Sequence, residues 1–134
     1  MSLASQSNPA SRASLWAGRI LSALAIILFV VTASFGFLKP EVAMQGFVHY
    51  GYPESSMLRI TIVEIACAII YAIPRTSVLG AILLTGYLGG ATATHVRVGE
   101  PFFLPVLVGV VIWLGIYLRD TRLRALVPLR GSEN

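Results

Sequence analysis

Charge is scarce in this chain of 134 residues: Asp, Glu, Lys and Arg together make up 12% of it. An ordinary soluble domain carries about 25%. With 56% hydrophobic residues and a mean hydropathy of +0.79, the polar surface is too small to face water. An integral membrane protein is expected. The single cysteine, Cys67, excludes an intrachain disulfide and a CxxC redox pair. His49 and His95 are the only histidines, and no CxxCH is present to attach haem. No His, Cys, Asp and Glu cluster has metal-ligand spacing, so no metal is expected. Nor does the net charge of +4 point to nucleic acid. The basic residues stand at the ends of apolar runs, with no basic patch interleaved with aromatics.

What is present is apolar length. Residues 1–13 are small and polar and are expected to form a tail. Ile20 to Leu38 follows, longer than the roughly 7–15 apolar residues of a signal peptide, so an uncleaved first helix is expected. Pro40 to Tyr50 has an apolar side too short to span and suits a brief interfacial helix ended by Gly51. A second long helix starts after Pro53–Glu54 and stops at Pro74–Arg75. The third ends near His95. There Gly86-xxx-Gly90 and Gly89-xxx-Ala93 suggest close approach to a neighbour. The predicted fold is all-α, an integral membrane antiparallel four-helix bundle. Its spans are placed at about 18–38, 56–73, 77–95 and 102–118, with a tail over 125–134.

An even number of spans puts both termini on one side. That side would hold Arg12, Arg19, Arg75, Arg119, Arg122, Arg124 and Arg130, against Lys39, Arg59 and Arg97 opposite. The positive-inside rule then predicts cytoplasmic termini in a cell (inner) membrane.

Glu64 is the sharpest feature, an acid near the middle of MLRITIVEIACAIIY. A carboxyl at membrane depth is expensive unless protonated, paired or facing a polar cavity. Helical spacing groups it with Thr61, Cys67 or Ala68, and Tyr71, opposite Ile62, Ile65, Ile69 and Ile73. Tyr87, Ala91 and His95 share a face of the third helix, with Thr92 beside it. By depth, Lys39, His95 and Arg97 lie in the same outer half as Glu64. A site is therefore predicted with Glu64 and His95 as acid–base groups, and with Lys39, Thr61, Tyr71, Thr92 and Arg97 binding the ligand. The plain alternatives are a glutamate that clamps helices and cations that reach for headgroups.

Several segments resemble the DoxX-like membrane proteins: Ser34-x-Gly36-x-x-Lys39, Gly51-Tyr52-Pro53-Glu54, Val63-Glu64-Ile65-Ala66 and Ile73-Pro74-Arg75. So do Gly86-Tyr87-Leu88-Gly89-Gly90-Ala91, Thr94-His95-Val96-Arg97 and Arg119-Asp120. The resemblance implies a four-helix membrane fold and emphasises Lys39, Glu64, His95 and Arg97. It also implies association with redox complexes, since the family takes its name from a subunit of a thiosulfate:quinone oxidoreductase.

Three functions follow. The first is a redox-associated subunit that binds a quinone or similar lipophilic molecule in an outward-facing pocket. Its electrons would come from a redox partner protein. The second is a non-enzymatic assembly or lipid-binding module, including a homo-oligomer. The third is an acid–base isomerase or cyclase for a lipophilic substrate. The bilayer is the expected partner in all three.

Overall fold

The structure, a computed structural model, describes residues 10–127, and these form six α-helices and no strand. They are α1 (Arg12–Leu38), α2 (Pro40–His49), α3 (Ser56–Ala72), α4 (Ser77–Arg97), α5 (Phe103–Arg119) and α6 (Thr121–Leu126). The expected tail is shorter than the sequence suggested. Ser11 caps α1 by accepting from the Ser14 amide at 3.1 Å, so Arg12 and Ala13 are already helical. The rest of that tail, residues 1–9, lies outside the described residues, as does 128–134 at the other end. Residues 121–126 form α6, begun by the Asp120 carboxylate, which accepts from the amides of Arg122 and Leu123.

The four long helices form a ring in which α1 packs on α3 and α5, and α4 packs on the same two. Each neighbouring pair runs in opposite directions. Gly18 of α1 abuts Gly115 of α5, and Gly36 abuts Thr61 of α3. Gly80 of α4 abuts Tyr71 of α3, and the Thr85 hydroxyl accepts from the Trp113 indole at 2.8 Å. Helical periodicity supplies the buried faces. On α1 the face is Gly18, Ser22, Ala25, Phe29 and Ala33, and on α3 it is Thr61, Glu64, Cys67, Ala68 and Tyr71. Ile62, Ile69 and Ile73 point outward, and α1 likewise presents Trp16, Ile20, Leu24 and Ile27. Apolar residues thus cover the outside of the ring as well as its centre, which in water would be an aggregation surface.

Two helices, α1 and α4, are long and apolar enough to cross a membrane, and α5 is apolar but has 17 residues. The three α4 glycines of the Gly-xxx-small spacings make no close contact within the chain. Nothing lies within 4 Å of a Cβ built on Gly86, Gly89 or Gly90. Instead they leave room, and Gly86 and Gly90 line a cavity.

Both α2 and α4 end in the same turn. Gly51 and Gly99 each have φ of 76°, a conformation that costs glycine little. The following amides turn back, Tyr52 donating to the Phe47 carbonyl and Glu100 to the His95 carbonyl, each at 2.9 Å. These turns place Tyr52 and Glu100 over the same end of the ring.

Candidate functional site

Glu64 is 7% exposed and lines a chamber of about 360 Å³ with Gly36, Phe47, Thr61, Thr32 and Tyr87. Its Oε1 accepts a hydrogen bond from the Thr32 hydroxyl of α1, and the Tyr87 hydroxyl of α4 stands beside the same carboxyl. Thr32 Oγ1 also lies 3.1 Å from the carbonyls of Leu28 and Phe29. A hydroxyl has one proton to give. With Glu64 ionised, Thr32 donates to it. With Glu64 protonated, the carboxyl donates to Thr32, which turns its own proton to the α1 backbone. The arrangement therefore accepts either state of the acid without orphaning a polar atom.

The residues that the sequence grouped do not all meet. Thr61 lines the chamber, its hydroxyl donating to the Met57 carbonyl at 2.9 Å. Lys39 and Arg97 are not brought to the acid. Among the described residues the one pair of a carboxylate with a basic side chain is His49–Glu100 at 2.6 Å, and Glu64 has none. Lys39 is exposed at the α1–α2 junction, in a shallow groove with Val31 and Leu38. Arg97 donates to the Tyr50 carbonyl and stacks 5.5 Å from the Tyr52 ring, pinning the turn after α2. Thr92 turns into the groove between α4 and α5, where it donates to the Leu88 carbonyl.

Tyr71 sits at the other end of the ring, fully buried. Its hydroxyl lies 3.0 Å from Ser22 Oγ and donates to the Ile112 carbonyl at 3.0 Å, tying α3 to α1 and α5. It is a packing residue. Tyr71→Phe is expected to lower unfolding stability by about 1 kcal/mol, measured by thermal circular dichroism, and to leave ligand binding unchanged.

His95 lines a second chamber of about 570 Å³, which adjoins the first and shares Thr32, Phe47 and Tyr87 with it. The His95 Nδ1 lies 2.7 Å from the Ala91 carbonyl, which can only accept, so Nδ1 carries a proton. Nε2 faces the Tyr50 hydroxyl at 3.4 Å, and that hydroxyl donates to Glu100 Oε2 at 3.0 Å. The imidazole is therefore engaged with the outer rim while the acid lies beneath. Burial and the Glu100 carboxylate push the Tyr50 phenol above its ordinary value, which keeps it a donor. Beside it, Thr94 Oγ1 lies 2.7 Å from the Tyr52 hydroxyl.

Thr32, Tyr87, Tyr50 and Glu100 were missed by the sequence-based site. Only Tyr87 carried a signal, as the residue two helical turns before His95 on one face. Two of the segments that carried the family resemblance meet in space. Gly51-Tyr52 and Thr94-His95-Val96-Arg97 contact each other at the outer rim, and Asp120 caps α6. No curated protein and no solved structure matches this chain. The sequence model of the DoxX-like family matches residues 20–116, and the chain is a membrane protein belonging to that family.

Proposed function

We propose that this DoxX-like protein is an antiparallel four-helix membrane bundle that binds a quinone or similar lipophilic molecule in the two joined chambers, as a redox-associated subunit. The observation that carries the reading is an acid facing an apolar chamber, answered by hydroxyls that tolerate both of its protonation states. Both chambers fall within the range of about 300–1,000 Å³ typical of small-molecule sites. Gly86 and Gly90 widen the outer one, where a side chain would otherwise project.

A quinone carries the electron chemistry in its ring, with electrons supplied by a redox partner protein. Glu64 holds or releases a proton at Oε1, and Tyr87 donates from the opposite wall. Thr61 and Phe47 shape the inner chamber, and His95 faces the outer one. The 17 residues of α3 and of α5 rise about 26 Å each, at the short end of what spans a hydrocarbon core of about 30 Å. The excess of arginine at the end holding Arg19, Arg75 and Arg119 supports cytoplasmic termini in an inner membrane.

Titration of the purified protein in nanodiscs with a short-chain benzoquinone tests this. Glu64→Gln and Gly90→Leu, the second filling the chamber, are each expected to weaken binding about tenfold or more. Binding unchanged in both variants would overturn the proposal. Native mass spectrometry of the same sample reads any co-purified ligand and the oligomeric state together.

A further inference from the structure

We propose that α2 is a hinged lid over the outer chamber, latched shut by Glu100. Its role in ligand access rests on the binding reading above, whereas its motion does not.

One wall of the outer chamber is α2, through Ala43, Gly46, Phe47 and Tyr50. The facing wall is α4, through Gly90 and His95. No residue of α2 is buried. Its backbone packs on α1 and α3 and does not approach α4 or α5. A segment with so little buried surface belongs to the low-stability end of a fold. Each end of α2 can pivot. Lys39 joins it to α1 outside helical geometry, at φ −136° and ψ 63°, and Gly51 ends it at φ 76°.

Contacts from α4 and the turn after it hold the Gly51 end of α2 across the chamber. His49 Nε2 lies 2.6 Å from Glu100 Oε1, and the Tyr50 hydroxyl donates to Glu100 Oε2 at 3.0 Å. Consecutive residues of the lid thus occupy both oxygens of one carboxylate, a charge-assisted arrangement. Glu100 is aimed by the Gly99 turn, which returns its amide to the end of α4. The groups facing this carboxylate are His49 and Tyr50 from the lid, and His95 from α4. Arg97 of α4 adds a backbone tie at the Tyr50 carbonyl. Opening the lid releases His49 and Tyr50 together and widens the mouth of a chamber that is already partly open.

The latch has a pH sign. The hydrogen bond from His49, then that from Tyr50, holds the Glu100 carboxyl below the usual carboxylate range. A lowered value means the ionised form favours the closed lid. That contribution is complete above the ordinary carboxylate value and is lost as pH falls through the lowered one. The lid therefore stays closed in mild acid and opens in stronger acid.

The experiment uses the full chain in nanodiscs without ligand, in a Cys67→Ala background. Spin labels sit on exposed positions of the lid and α4, as Gln45→Cys and Ala93→Cys, and pulsed dipolar spectroscopy reads their separation. A single narrow distance is expected at neutral pH. In Glu100→Gln a longer, broader population should grow several-fold, and Tyr50→Phe should give a smaller shift in the same direction. Unchanged helicity by circular dichroism confirms that both variants are folded. A Glu100→Gln distribution identical to the parent would sink the lid, whatever the quinone titration shows. Conversely, an opening lid combined with unimpaired binding in Glu64→Gln would sink the site reading and leave the hinge standing.

Discussion

Gly80→Ala is expected to lower unfolding stability by about 3 kcal/mol, and Gly80→Leu to prevent the ring from forming. A Cβ on Gly80 would collide with the backbone N and Cα of Tyr71 and come within 2.7 Å of its Cβ. The obstacle is helix backbone, which cannot swing aside as the end of a flexible side chain can. Relief requires moving α4 off α3. Overpacking of this kind typically costs about 1–3 kcal/mol. Here the displaced residue is Tyr71, whose hydroxyl joins α1, α3 and α5, so its hydrogen bonds add about 1 kcal/mol each. Gly90→Ala is the control, because nothing lies within 4 Å of its added Cβ and a helical alanine is favoured over glycine. Its thermal midpoint should equal the parent's or exceed it. Equal midpoints for the two alanine variants would mean that α3 and α4 do not pack at Gly80.

Positions along each helix were legible in the sequence, and directions around it only in part. Pro40, Pro53, Pro74 and Pro101 bracket the apolar runs, so the long helices lie close to where periodicity put them. The face of α3 was also readable, because Thr61, Glu64 and Tyr71 fall on one stripe opposite a stripe of isoleucines, and that stripe is the buried one. The start of α1 was hidden by composition. Ser11 looks like part of a polar tail, yet Ser in that position is also a helix cap. Depth placed Lys39 and Arg97 in the same outer half as Glu64 but could not say where such long side chains reach. One remains exposed, and the other spends its guanidinium on the Tyr50 carbonyl. Thr92 and Thr94 show how sharp the azimuth is. Two residues on a helix differ by about 200°, so Thr92 faces the α4–α5 groove while Thr94 meets Tyr52. Thr32 was invisible because a lone threonine in an apolar run usually returns its hydroxyl to its own helix, and this one does so while also reaching the acid.

Replacing Glu64 with methionine is expected to abolish quinone binding while leaving the thermal midpoint unchanged or raising it, by up to about 2 kcal/mol in stability. The reasoning turns on what the carboxyl's neighbours do when it is gone. Thr32 has carbonyls of Leu28 and Phe29 at 3.1 Å and loses no hydrogen bond that it cannot replace. Tyr87 loses the carboxyl beside it, but it borders the outer chamber as well as the inner one. No cation is stranded, since none pairs with Glu64 among the described residues. Methionine is unbranched and similar in length, so it occupies the carboxyl's place among the apolar residues that line the chamber. An acid kept for ligand chemistry is thus a stability burden that an apolar residue relieves. An acid kept to join helices behaves in the opposite way, because removing it unties α3 from α1 and α4. A fall in stability of more than about 2 kcal/mol would therefore assign Glu64 to the fold. Loss of binding at undiminished stability would assign it to the ligand.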